Sequence, residues 1–381
     1  MPRNLPGVLG LPSGATVAAA AANAWDMVVR GGVADLRRMP KSIVDEGPQR
    51  MLYRYLPVPT APEDPGDRRA PVLLVPPLAA PAICFDLRRG CSLAEHLVQQ
   101  GRRTYLVDYG AINYGDRGLG LEHWVDEVIP VAARRASEDA GGRPLRLVGW
   151  CLGGILAMLA AAADNDLPIE AIALVASPFD FSRVPIVAPL RPIAAVTQGR
   201  GVTALYSLLG GAPAPLVKRG YQLAGIDKYL MKPYTVASNL HRRELLAQIE
   251  AVDHFMNRMH AYPGRTFGQL YHRFFRTNDL ADGSLALHTR TIELADVRVP
   301  LLAIAGKGDG IAPVAACHHV ADLVPGAPSC RLETAPGGHL GVLTGRAARP
   351  TTWRMLDEFL DAGAERAPRG RRRPARKTSA A

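Results

Sequence analysis

Leu147-Val148-Gly149-Trp150-Cys151-Leu152-Gly153-Gly154 runs directly into Ile155-Leu156-Ala157-Met158-Leu159-Ala160. An apolar run, a glycine-bounded turn and a second apolar run read as strand, nucleophile elbow and helix. In a Gly-x-nucleophile-x-Gly elbow the reactive residue occupies a strained turn, and small neighbours let the strand and helix backbones approach closely. The group presented here is a thiol. At a helix N-terminus it meets unpaired N–H groups and the positive end of the helix dipole, both of which favour the reactive thiolate. Cys151 is therefore the candidate nucleophile.

On either side of the elbow, short continuous apolar runs recur, as expected of parallel strands buried on both faces. Residues 71–77, 104–108, 145–150 and 171–176 read as strands, with 51–56 as an edge strand. Between them, 92–101 reads as a helix capped by Ser92 and stopped by Gly101, and 121–141 as a longer helix. The rhythm breaks at Pro178 and returns with strand 300–306, helix 313–324, strand 329–334 and a final helix 351–362. The expectation is an α/β-hydrolase fold: a mostly parallel sheet with helices on both faces and an inserted helical cap. The expected division is an N-terminal arm (1–50), a core (51–177 and 299–364), the cap (178–298) and a basic disordered tail (365–381).

The chain has 381 residues, 48% of them hydrophobic and 6% aromatic, which suits one large α/β domain with an insertion. Its net charge of +10 is concentrated at one end. Arg366, Arg369, Arg371, Arg372, Arg373, Arg376 and Lys377 lie in a tail without acidic residues after Glu365, so the body is nearly neutral. Such a Pro/Arg/Ala segment buries too little apolar surface to fold and reads as a solubilising tail; nucleic acid, polyphosphate and acidic lipid are its less favoured contacts. Five cysteines without framework spacing argue for reduced thiols and a cytoplasmic setting. Cys84, Cys91 and Cys330 read as structural, and Cys317-His318-His319 as helical residues whose side chains diverge rather than a metal site. Asn23 and Asp26 interrupt the apolar stretch 15–29, which reads as an amphipathic helix rather than a signal peptide or membrane span.

Ligands of such a sheet sit beyond the carboxyl ends of its strands, where the elbow's partners belong. Asp309 falls in the turn after strand 300–306, and His339 in the Gly337-Gly338-His339-Leu340-Gly341 turn after strand 329–334. Alone, an Asp between glycines is commonly a turn residue and a lone His a satisfied one. Together with the elbow, they give the chain order nucleophile, acid, histidine. Asp180 is the substitute acid, and Asp108 reads as structural. His339 then serves as base, Asp309 fixes its tautomer, and backbone N–H groups of Leu152 and of Leu78 or Ala79 form the oxyanion hole. The chemistry is acyl transfer through an S-acyl intermediate, with no metal or bound cofactor in the scheme.

At these residues the sequence resembles the poly(3-hydroxyalkanoate) synthases, a cysteine branch of the α/β-hydrolase fold, in particular their short two-subunit type. Gly149-Trp150-Cys151-Leu152-Gly153-Gly154 matches the family's Gly-x-Cys-x-Gly-Gly box. Asp309-Gly310-Ile311-Ala312-Pro313 matches its Asp-His-x-x-Pro segment, and His339 its Gly-His-x-Gly turn. Departures are Leu152 in place of a frequent Gln, Gly310 in place of the usual His, and Met259-His260-Ala261-Tyr262, where a Trp is expected. The resemblance implies a (R)-3-hydroxyacyl-CoA substrate, with CoA as leaving group, and polymerisation by transfer to another unit's hydroxyl. It implies as partners a second synthase subunit or a homodimer, and a polymer granule surface. The alternative activity is a thioesterase or esterase using the same triad with water as acceptor. A third reading is a granule- or membrane-surface binding protein without turnover.

Overall fold

The computed structural model describes residues 13–57, 69–185, 187, 206, 208–223, 229–287 and 290–362. Its apolar runs form one eight-stranded sheet: β1 (Lys41–Gly47), β2 (Arg50–Tyr55), β3 (Val72–Val75), β4 (Thr104–Asp108), β5 (Leu145–Trp150), β6 (Ile169–Val175), β7 (Leu301–Gly306) and β8 (Cys330–Ala335). Their spatial order is β1-β2-β4-β3-β5-β6-β7-β8. β2 is antiparallel to both its neighbours, and every pairing from β4 to β8 is parallel. Every residue of β3, β5 and β7 is buried, the mark of strands covered on both faces. Register pairs Val75 with Gly149, Trp150 with Val175 and Gly306 with Ala335. The carboxyl ends of β3, β5, β7 and β8 consequently open along one edge of the sheet.

The described helices are α1 (Gly14–Val29), α2 (Leu93–Gln99), α3 (Ile129–Asp139), α4 (Leu152–Ala163), α5 (Ala214–Leu223), α6 (Lys232–Ser238), α7 (Arg243–Met256) and α8 (Arg354–Asp361), with shorter turns between them. Ser92 caps α2 by accepting the Glu95 N–H at 3.0 Å. α4, apolar all round, is buried along nearly its whole length, as a central helix must be. The helix expected over 121–141 is a π-turn (His123–Val128) followed by α3. Pro130 supplies the reason, since it has no N–H to offer the preceding turn.

The sheet starts earlier than residue 51. β1 lies within the segment read as the arm, and β2, expected at the edge, is interior because a tight turn at 48–49 folds β1 back onto it. The rest of the arm clasps the cap. Asn23 Nδ2 donates to Leu240 O at 2.7 Å, and Arg243 Nη1 to Asp26 Oδ2 at 2.6 Å. Glu250 Oε2 accepts the Val33 and Ala34 N–H groups at 2.7 and 3.1 Å. The polar residues that interrupt α1's apolar pattern thus face protein, while Trp25 and Val28 face outward. The chain returns from the cap before residue 298: in the hairpin Ser284–Leu287 and Arg290–Glu293, Leu285, Leu287 and Ile292 join the core beside α4. The basic tail at 365–381 lies outside the described residues.

Candidate active site

β5 ends in a sharp turn at Cys151, whose φ of 54° and ψ of −126° fall outside the regions an L-residue ordinarily adopts. Three features hold this conformation. The Cys151 N–H donates to Val175 O at 2.9 Å, pinning the elbow to β6. A Cβ on Gly153 would overlap the Val75 and Pro76 carbonyl oxygens, and one on Gly149 would overlap the Gly154 backbone. Only glycine at these places lets α4 begin against the ends of β3 and β5.

The same close approach sets the loop after β3 beside the elbow. Leu78 and Ala79 are buried in that loop, and the cap closes on it through His260 N–H to Ala79 O at 2.8 Å. Leu152 opens α4, so its N–H belongs to the first turn, where the helical ladder supplies no partner. Leu152 thus follows Cys151 at the start of α4, and Leu78 and Ala79 lie in the buried loop after β3, against whose carboxyl end Gly153 packs.

The turns after β7 and β8 meet. His339 Nδ1 and Asp309 Oδ2 are 2.8 Å apart, and the Asp309 side chain is fully buried. Asp309 Oδ1 accepts the N–H groups of Ile311 and Ala312 at 2.8 and 2.9 Å, so its own turn fixes the carboxylate's orientation. The remaining imidazole nitrogen, Nε2, is buried without another partner and is left to Cys151 Sγ, with which the ring interacts. Burial by itself pushes this imidazole's pKa down. Electrostatic attraction to Cys151 and Asp309, with the hydrogen bond between Nδ1 and Asp309, overcomes that and raises it to about 10.

Asp180 has other work. Its carboxylate accepts from Ser182 N and Asn278 Nδ2 at 3.0 and 2.9 Å and pairs with Arg183 at 2.7 Å, tying the entry of the cap to its exit. Asp108 accepts the Gly110 N–H at 3.0 Å and shapes a turn. His318 and His319 reach different carbonyls, Glu333 O at 3.0 Å and Ala281 O at 2.9 Å. Among the described residues no three His, Cys, Asp or Glu side chains converge as a metal site would require.

Three further side chains at the site were not singled out from the sequence. Trp150 places its indole 5.2 Å from the His339 ring, centroid to centroid, and donates Nε1–H to His339 O at 3.1 Å. Tyr221 of α5 and Tyr262 interact with each other; burial raises both pKa values, and the charge of Cys151 adds to the rise. Trp150 stood in the elbow itself, at a position the motif leaves open. The tyrosines carry no local signal, because only the tertiary fold brings them within electrostatic reach of Cys151.

The strand order, the antiparallel β2 and the elbow after β5 define an α/β-hydrolase fold with cysteine at the nucleophile position. No family profile matches the chain. Among curated proteins, the poly(3-hydroxyalkanoate) polymerase subunit PhaC of Allochromatium vinosum is 25% identical over 323 residues, covering 82% of this chain and 86% of that one. The subunit of the same name from Synechocystis sp. is 23% identical over 322 residues, covering 81% of each. That of Haloferax mediterranei is 23% identical over 301 residues, covering 79% of this chain and 60% of its own. A solved structure, mouse alpha/beta hydrolase domain-containing protein 10, is 16% identical, with a TM-score of 0.49 over 84% of this chain and 98% of that one. The likeness to the poly(3-hydroxyalkanoate) polymerase subunits thus extends over most of the chain. Among the described residues no helix is long and apolar enough to cross a membrane.

Proposed function

We propose that this protein is an acyltransferase that polymerises (R)-3-hydroxyacyl-CoA through an acyl-enzyme on Cys151. The observation that carries the reading is the buried chain Asp309, His339, Cys151, in which one imidazole nitrogen is bound to the acid and the other is reserved for the thiol. The sequence likeness to PhaC subunits selects the substrate class.

In the proposed cycle Cys151 Sγ, its proton held by His339 Nε2, attacks the thioester carbonyl. The carbonyl π electrons move to oxygen, and the N–H groups of Leu152 and of Leu78 or Ala79 stabilise that oxyanion. Its collapse breaks the C–S bond to CoA, and His339 returns the proton to the departing thiolate. The 3-hydroxyl of a second unit then loses its proton to His339 and attacks the S-acyl carbon; an ester forms as the acyl C–Sγ bond breaks, the electron pair returns to Cys151 Sγ, and the Cys151–His339 pair is regenerated. Asp309 holds Nδ1–H throughout, which fixes the tautomer and supports the imidazolium.

Water in place of the second hydroxyl would make the same site a thioesterase or esterase. Incubation with 3-hydroxybutyryl-CoA, following released thiol and sizing the products, tests the reading. Oligomer or polymer in step with CoA release is expected, with or without an added synthase subunit. Stoichiometric free hydroxy acid would overturn polymerisation, and thiol release unchanged in Cys151→Ala would overturn the acyl-enzyme.

A further inference from the structure

Trp150 precedes the nucleophile, and its side chain does not run parallel to the thiol's task but toward the histidine. It is 2% exposed, its Nε1–H donates to the main-chain oxygen of His339 at 3.1 Å, and its ring lies 5.2 Å from the imidazole at an interplanar angle of 39°. On its other side Phe255, from cap helix α7, approaches edge-on with centroids 6.1 Å apart. The indole therefore touches the elbow, the His339 turn and the cap at once. An indole face within about 6 Å of a cation is attractive, and more so where water is excluded. The groups facing His339 are Asp309 from the turn after β7 and Cys151 from the elbow. Tyr221 and Tyr262 from the cap lie near Cys151, and Cys317 lies near Asp309. None of these holds the His339 main chain.

We propose that Trp150 is a positioning residue for His339: its N–H bond fixes the turn that carries the ring, and its face favours the protonated ring. This assignment rests on the reading of His339 as the base. The two roles separate in two substitutions. Trp150→Phe keeps a ring and loses the N–H; Trp150→Met fills similar space with neither.

The test is titration of His339 by NMR in protein carrying ring-13C histidine, the resonance assigned by its loss in His339→Gln, alongside kcat and KM for CoA release. Trp150→Met is expected to lower the His339 titration midpoint by about one pH unit. Trp150→Phe is expected to hold the midpoint to within about 0.3 unit while kcat falls roughly tenfold at unchanged KM. A wild-type midpoint in Trp150→Met overturns the role of the ring face. Wild-type kcat in Trp150→Phe overturns the role of the hydrogen bond; if Trp150→Met fails to fold, Trp150→Leu, which also lacks the ring, reads the ring face by the same midpoint, and an unchanged midpoint there overturns that role. The titration needs no turnover. If Cys151→Ala retains thiol release, the parent reading falls while the effect of the indole on the ring is still measured.

Discussion

Replacing Asp309 by Asn changes one atom and reverses the hydrogen-bond logic of the site. The native carboxylate divides its two oxygens: Oδ1 takes the Ile311 and Ala312 N–H groups, and Oδ2 takes His339 Nδ1 at 2.8 Å. An amide in the same place keeps its oxygen on the two main-chain donors, because its NH2 cannot accept from them. The NH2 then faces Nδ1, which must become an acceptor. That moves the ring proton to Nε2, where Cys151 needs a base. The carboxylate charge that helps lift the imidazole to about 10 is lost as well, leaving Cys151 alone to oppose the downward pull of burial. In serine triads the equivalent exchange costs about 10⁴ in kcat, and a loss of about 10³–10⁴, or ~4–5.5 kcal/mol of barrier, is expected here. The assay is single-turnover thiol release from 3-hydroxybutyryl-CoA, with thermal melting to show that the turn survives. Activity above a tenth of wild type would refute the arrangement. So would an equal loss in Asp180→Asn, because Asp180 touches the cap and not His339.

The His339 pKa links folding to pH. Its folded value near 10 lies above the unfolded 6.5, so the imidazolium's contribution is complete below pH 6.5 and is lost as pH climbs through about 10. Urea midpoints should fall over that window in wild type and fall less in Cys151→Ala, which removes one charge that raises the ring; identical slopes would refute the link. Gly153→Val places a branched side chain against the Val75 and Pro76 carbonyls and is expected to cost at least about 1–3 kcal/mol and abolish thiol release, read by denaturant melts and the same assay. Glu250→Ala leaves the Val33 and Ala34 N–H groups without their acceptor; a loss of about 1–3 kcal/mol in local stability should appear as faster proteolysis near residue 33, with α7 still helical.

Most of the sheet is legible from one-dimensional pattern because parallel strands buried on both faces must be apolar throughout, and β3, β5 and β7 are. The elbow is legible for a related reason: strand and helix can meet closely only where side chains are absent, so Gly149 and Gly153 are written into the chain. β1 was not legible. Its residues 41–47 are largely charged or polar and lie at the sheet's edge, so burial imposes no pattern on them. The sequence puts Asp309 first as the acid and keeps Asp180 as its substitute, since both follow strands.

What the sequence by itself determined is the succession of core strands and helices and the identities of Cys151, His339 and the candidate acids, because buried apolar runs and turn chemistry are local demands. Only the tertiary structure decided that Asp309 rather than Asp180 reaches His339, and that Trp150 lies against the imidazole. It alone brought Tyr221 and Tyr262 within electrostatic reach of the thiol. Those relations depend on how turns from strands far apart in the chain converge at one sheet edge, and on a cap whose own residues carry no periodic record of what they cover.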